Sequence, residues 1–540
     1  MLSADPSPNA SPTPDGIPDE ASAASEAGSA PVAFRQRLGL FDSTMLVAGS
    51  MIGSGIFIVS ADIARTVGSS GWLMAVWGVT GLMTVIGALS YAELAAMMPQ
   101  AGGQYVYLRE AYGRLWGFLY GWAMFLVIQT GMIAAVAVAF AKFLGVFVPA
   151  LGTGHVIYRV ADLHWHLELP LPWLAQPLVV FTRDEFTISA GQLVAAAVVA
   201  ALSLWNCFGI EQGKWLQNIF TVAKTIGLLM LIALGFSLAA NHEAIAANLR
   251  DLWSGIHATP ATRAVQARFP GAGTFAPLMA AGAAMVGALF SADAWHNIAF
   301  TAGEIRNVRR TLPLSMVLGT LAVITLYLVV NLAYLTALPV TGDAQAATVM
   351  ARGIAHARED RVATAVLELA APNFGVSFMA AAIMISTFGC ANGVILMGAR
   401  LYYAMAADGL FFRAVGRLNA RAVPAAGLVL QGAWASLLIF SGSYSELLDY
   451  VIFAALLFYF FTVLGLFVLR FKRPDAPRPY RALGYPLLPA AYMLLCGAIL
   501  LDLLLVKPVF TWPGLLIVLT GIPVYAGWRL IGRALPARPE

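Results

Sequence analysis

Apolar residues run along most of this chain in blocks of about 20, broken by polar stretches that are mostly short. An α-helix rises 1.5 Å per residue, so a block of about 20 spans the hydrocarbon of a bilayer. The pattern predicts twelve spans, at 42–66, 72–98, 115–148, 188–208, 216–239, 276–302, 312–337, 373–406, 424–441, 446–469, 484–506 and 510–531. Long polar connections follow spans 3, 5 and 7. Residues 1–34 are rich in Ser, Pro, Ala and Asp and lack the basic start and apolar core of a signal peptide, so a disordered tail is expected there.

Two spans are interrupted. Span 1 carries Gly53-Ser54-Gly55 in its middle, and span 6 carries Ser291-Ala292-Asp293-Ala294 at a similar depth. Small residues permit close helix packing in membranes, which is one reading of the first stretch. The other is a discontinuous helix, because unwound backbone survives at membrane depth only where it lines an enclosed cavity. Interruptions in two corresponding spans favour the second reading and point to an inverted-repeat transporter with its site at the midplane. Spans 1–5 (35–240) would then pair with spans 6–10 (241–470), leaving spans 11 and 12 with a short tail at 471–540. Amide groups near Ser54 and Gly55, at a half-helix N-terminus, suit a carboxylate, and a side chain at Gly55 would occupy that place. Carbonyls freed in span 6 suit an ammonium group.

Charge adds an orientation. With the N-terminus placed in the cytoplasm, the inner segments collect Arg35, Arg37, Arg109, Arg114, Lys214, Arg306, Arg309, Arg310, Arg413, Arg417, Arg421, Arg470, Lys472, Arg473 and Arg478, whereas the short outer loops hold only Arg65 and Lys507. Both termini are therefore expected in the cytoplasm of a multi-pass protein of the cell (inner) membrane. Composition agrees: 60% of residues are hydrophobic and 11% charged, about half the charge of a soluble domain. A net charge of +4 spread along the chain gives no reason to expect nucleic acid. Cys207, Cys390 and Cys496 form no CxxC pair, and His164 and His166 lack further ligands, so no metal or other cofactor is expected. Without a P-loop, an HExxH motif or a nucleophile elbow, ATP-driven pumping and the common hydrolase chemistries have no support.

Five motifs in order add a resemblance. "GSMIGSGIF", "YAELAAMMPQAGGQYVYLREAYG", "FSADAWHNIAFTAGEIRNVRRTLP", "STFGCANGVILMGARLYYAMAADGL" and "RPDAPRPYRALGYPLLP" resemble the amino acid–polyamine–organocation superfamily, nearest to its bacterial L-type amino acid transporter-like members, from about residue 36 to 500. The resemblance implies an all-α membrane fold of about twelve helices: a leucine-transporter-type 5+5 inverted repeat with spans 1 and 6 broken and two extra C-terminal spans. It implies a secondary transporter working by alternating access, as an exchanger or a proton-coupled symporter, not an enzyme. By resemblance, Ser50, Met51, Ser54 and Gly55 surround the substrate carboxylate, the main chain of Phe290, Ser291 and Asp293 meets the amine, and Phe290 closes over the substrate from outside. Two departures stand out: Ala294 where the family usually has Gly, and His296 where it usually has Asn.

Lys224 is an ammonium in mid-span, which is functional by default because burying it in lipid costs several kcal/mol. It either carries a coupling proton or stays charged and ties span 5 to the carbonyls of broken span 1. The resemblance implies that it stands in place of a sodium ion. Glu93, Glu304 and Arg400 form either an inner gate network or ordinary interfacial pairs. The apolar walls expected from Met51, Phe290, Ala292 and the residues near Ala454 and Ala455 in span 10 favour small to medium neutral L-amino acids. A cationic amino acid or polyamine antiporter, reading its cargo through Asp293, is the alternative. The loop at 149–187 lacks the cysteine through which eukaryotic L-type members attach a heavy chain, so no disulfide-linked partner is expected.

Overall fold

Apolar runs become helices because a helix satisfies its own backbone, the only economical solution in hydrocarbon. The computed structural model describes residues 33–160, 165–169, 178–183, 185–372, 374–440 and 444–534. Among these, ten helices are long and apolar enough to cross a membrane, and Ala190–Asn206 and Ala425–Ile439 are two shorter apolar ones. All twelve expected spans are thus present. The expected tail at residues 1–32 and His164 lie outside the described residues.

Span 1 is two helices, Leu40–Met51 (span 1a) and Gly55–Val67 (span 1b). Spans 2 to 5 are Ser70–Met97, Arg114–Phe147, Ala190–Asn206 and Ile210–Ser237. Span 6 begins as Ala276–Ser291 (span 6a) and resumes as a 3-10 helix at Asn297–Glu304 (span 6b). Spans 7 to 12 are Val308–Ala337, Gly375–Ala407, Ala425–Ile439, Tyr444–Lys472, Leu487–Val506 and Pro508–Ala534. The segment after span 3 carries two short antiparallel pairs, Val156–Val160 with Phe186–Ser189 and Trp165–Leu169 with Leu178–Arg183.

Helix ends are set locally. Span 1b stops at Gly68, whose φ of +62° is a left-handed cap that a side chain would strain. Span 4 opens on a capping box, with Ser189 accepting from the Gln192 amide while the Gln192 side chain accepts from the Ser189 amide. Span 3 contains a π-helical turn at Met124–Ile128, and the hydroxyl of Thr130 and the indole of Trp434 donate to the displaced carbonyls of Phe125 and Leu126. Spans 4 and 5 turn exposed apolar side chains outward, such as Leu193, Trp215, Val222, Ile226 and Leu229, while buried polar groups collect around spans 1 and 6. One end of the bundle carries the basic segments 306–310, 413–421 and 470–481 and is called the basic face below.

Candidate functional site

The break in span 1 follows from Gly53-Ser54-Gly55. Ile52 turns extended (φ −74°, ψ 92°), which ends span 1a, and Ser54 caps span 1b. An unwound stretch leaves carbonyls without their helical donors. Here each of the five carbonyls from residue 49 to 53 accepts from a side chain of another span. Lys224 of span 5 donates its ammonium to Gly49 (2.6 Å) and Ile52 (2.7 Å), and also to Ser386 of span 8 (3.1 Å). The Cys390 thiol donates to Ser50 at 3.0 Å. The Tyr327 hydroxyl of span 7 lies 3.0 Å from the carbonyl of Met51, and the Ser386 hydroxyl lies 3.1 and 2.9 Å from those of Ile52 and Gly53. Of the two sequence readings of Lys224, this geometry matches the tie to span 1: the ammonium sits among three carbonyl dipoles, as a bound cation would.

Span 6 breaks directly opposite. The Tyr327 hydroxyl also lies 3.1 Å from the Ser291 carbonyl, so one side chain bridges both breaks. Gly55 makes the approach possible: a Cβ there would stand 2.0 Å from the Ser291 hydroxyl and 3.1 Å from its Cα. A side chain at Gly55 therefore meets Ser291, not an open carboxylate place as the sequence argument supposed. Ala294 holds the turn at φ +68°, a left-handed conformation that favours glycine.

Between the breaks lies a cavity lined by Ser50, Met51, Ser54, Gly55, Phe290, Ser291 and Asp293, with Met132, Val136 and Cys390 as further walls. All seven sequence-nominated residues are brought together there, and Lys224 holds the carbonyls behind them. A second cavity shares Asp293 and is lined by Ala292, Trp295, Ile452, Leu456, Tyr459 and Tyr492. From span 10 the contributors are thus Ile452, Leu456 and Tyr459; Ala454 and Ala455 do not line it. Each cavity has space for no more than about one water molecule, and its described walls are buried. Two polar atoms in the first cavity are buried without a hydrogen-bond partner, the Ser50 hydroxyl oxygen and Asp293 Oδ2.

Asp293 Oδ1 accepts from the Tyr459 hydroxyl, which lies 3.1 Å from His296 Nδ1, and His296 Nε2 lies 3.5 Å from the Tyr120 hydroxyl. His296 is thus in a polar chain as well as in the core. Tyr327, Cys390, Tyr459 and Tyr120 escaped the sequence argument. Tyr327 left a trace: Tyr327, Asn331 and Tyr334 recur four and three residues apart on one face of an otherwise apolar span, and all three are buried.

Toward the basic face, the Arg400 guanidinium of span 8 donates to both carboxylate oxygens of Glu304 at 2.9 and 3.0 Å, with both side chains 1% exposed. Glu93 receives Arg470 and Arg478 and the amide of Ala482. Glu304, Arg400 and Glu93 are all buried, whereas Arg470 is partly exposed. Leu38 pairs with Ile305 in a parallel bridge, joining the segment before span 1a to the end of span 6b.

The chain is thus a helical bundle of twelve spans, two of them broken face to face around buried polar atoms. Residues 38–525 match the amino acid permease family. The chain is 27% identical to the b(0,+)-type amino acid transporter 1 of Homo sapiens over 91% of its own length and 87% of that relative's. It is 28% identical to the large neutral amino acids transporter small subunit 2 of Homo sapiens, over 95% and 84% of the two chains. The chain belongs to the amino acid permease family, within the amino acid–polyamine–organocation superfamily, and so to transporters and not enzymes.

Proposed function

We propose that this permease moves neutral L-amino acids of small to medium size across the cytoplasmic membrane by alternating access. The observation that carries the reading is the pair of orphaned polar atoms, Ser50 Oγ and Asp293 Oδ2, facing a sealed cavity between two half-helices. An unpaired buried polar atom costs about 1–3 kcal/mol, and a zwitterionic ligand offers partners to such atoms. Ser50, Met51, Ser54 and Gly55 form the carboxylate side, and the main chain of Phe290, Ser291 and Asp293 the amine side. Because the cavity is so small, cargo enters only when spans 1 and 6 part from their neighbours, which is the motion alternating access requires. The basic face is assigned to the cytoplasm, which puts both termini there. Residues 35–240 and 241–470 are assigned as the two inverted repeats. Lys224 occupies the cation position, so transport proceeds without sodium, and no disulfide-linked heavy chain is needed.

The walls, Met51, Met132, Val136 and Phe290, are apolar and discriminate one methylene by only about 1–3 kcal/mol, so several neutral amino acids share the site. One relative is named for large neutral amino acids, which supports the same reading. A second reading, a cationic amino acid or polyamine antiporter, rests on Asp293 Oδ2, which could pair with a cationic side chain. Labelled leucine uptake into proteoliposomes, challenged with unlabelled amino acids, separates them. Alanine, valine and leucine are expected to compete without added sodium. If only arginine, lysine or a polyamine competes, the antiporter reading replaces the first.

A further inference from the structure

Asp293 is a carboxylate with an unmet need. It is 3% exposed, Oδ2 has no hydrogen-bond partner, and among the described residues no Lys or Arg pairs with it. Lys224, the nearest candidate by function, is committed to the carbonyls of Gly49, Ile52 and Ser386. An ionised carboxylate buried without a counter-charge costs several kcal/mol, so the site favours either a proton on the carboxyl group or a cation beside it.

The surroundings supply a proton partner. His296 Nδ1 lies 4.0 Å from Asp293 Oδ1, with the Tyr459 hydroxyl between them. When Tyr459 donates to Asp293, its oxygen is free to accept from His296 Nδ1–H, and His296 Nε2 then accepts from Tyr120. The groups facing this chain are Tyr91 of span 2, Tyr107 of the helix Gln104–Tyr112, Tyr120 of span 3, Tyr402 of span 8, and Tyr492 and Cys496 of span 11. All are phenols or a thiol, uncharged near neutral pH. The imidazole packs edge-on against Tyr91, Trp295, Phe300 and Tyr459. Asp293 is therefore the group in this cluster that can take up or release a proton, with His296 as its hydrogen-bond partner beyond Tyr459.

We propose that Asp293, Tyr459 and His296 form a proton-binding site that balances the charge of the cargo: a neutral amino acid travels with a proton on Asp293, and a cationic amino acid travels in place of that proton. The proposal rests on the amino acid transport reading and adds to it a second ionisable site, distinct from Lys224. It also gives the His296 departure a purpose, since an asparagine there could not share a proton. In exchange, one leucine and one proton enter as one argininium leaves, so charge is conserved across the membrane.

The test uses the full-length protein in vesicles holding a pH-sensitive dye and loaded with arginine. External leucine is expected to enter and acidify the lumen, whereas in leucine-loaded vesicles the same influx moves no net proton. Arginine should compete better against leucine as the pH rises, because the unprotonated carboxylate then persists. Asp293→Asn should abolish the acidification and flatten that pH dependence in whatever uptake remains. His296→Asn and Tyr459→Phe should each shift its midpoint by about one pH unit or more. Leucine entry without acidification, entry into leucine-loaded but not arginine-loaded vesicles, or an Asp293→Asn variant with the wild-type pH profile overturns the proposal and leaves transport standing. No amino acid entry under any loading overturns the transport reading with it.

Discussion

The ammonium of Lys224 lies 2.6 Å from the carbonyl oxygen of Gly49, 175 residues away in sequence and buried with it. That bond and its companion to Ile52 give donors to two of the carbonyls at the break in span 1. Lys224→Ala leaves the Gly49 carbonyl without its side-chain donor, a loss of about 1–3 kcal/mol. Transport should fall by about five- to 150-fold, since each 1.4 kcal/mol is a factor of ten. Lys224→Arg should not restore it, because a planar fork replaces a point charge whose three donors reach three separate carbonyls. Initial uptake rates and thermal melting of the purified variants check both statements. A wild-type rate in Lys224→Ala would remove Lys224 from the cycle.

Ala294 offers a test with the opposite sign. Its φ of +68° costs a residue with a Cβ roughly 1–2 kcal/mol, and glycine avoids that penalty while losing about 0.5–1 kcal/mol of chain entropy. Ala294→Gly should therefore be neutral to stabilising by up to about 1 kcal/mol. Almost any other substitution at a buried turn destabilises. Melting temperature in detergent, with and without leucine, reads this directly.

The spans were legible in the sequence because hydrocarbon tolerates so few alternatives. Span 7, expected at 312–337, runs Val308–Ala337, and span 11, expected at 484–506, runs Leu487–Val506. Span 5 shows where the signal fails: its helix begins at Ile210, six residues before the expected 216, because Glu211-Gln212-Gly213-Lys214 is polar yet helical. Hydropathy marks the bilayer, and a helix continues past it. Likewise span 6b is a 3-10 helix, a distinction that composition does not carry. The broken stretches were legible because Gly and Ser are rare reasons for a mid-span pause. Their partners were not. Tyr327, Cys390 and Tyr459 are ordinary members of apolar spans, and only tertiary approach sets them against carbonyls 50 and 51 and the Asp293 carboxylate.

Gly55 and Ser291 are a point of close approach between the two broken helices. Because a Cβ on Gly55 would stand 2.0 Å from the Ser291 hydroxyl and 2.7 Å from its Cβ, Gly55→Ala forces the half-helices apart. Uptake should be lost while expression and membrane insertion persist. Ser291→Gly removes both offending atoms, so Gly55→Ala/Ser291→Gly should recover part of the loss, a coupling that a double-mutant cycle on uptake quantifies. If Ser291→Gly brings no recovery, the close approach is not what excludes the methyl group.

Glu304 and Arg400 form a buried ion pair toward the basic face. Both are 1% exposed and joined by two hydrogen bonds, and the Glu304 carbonyl also accepts from the amides of Arg37 and Leu38 at 2.8 and 2.9 Å. One residue thus fastens span 6b to span 8 and to the segment before span 1a. Opening toward the basic face must break at least one of these attachments. Removing one partner of a buried pair costs about 3–5 kcal/mol, because the other charge is left bare. Arg400→Met should then destabilise the closed face more than Glu304→Gln, which still accepts at one oxygen. Both should speed labelling of a cysteine placed at Ser50, by a reagent applied from the basic face, in a background with Cys207, Cys390 and Cys496 replaced. The charge reversal Glu304→Arg with Arg400→Glu should slow that labelling again. If labelling is unchanged in all three, the pair stabilises the fold but does not gate the site.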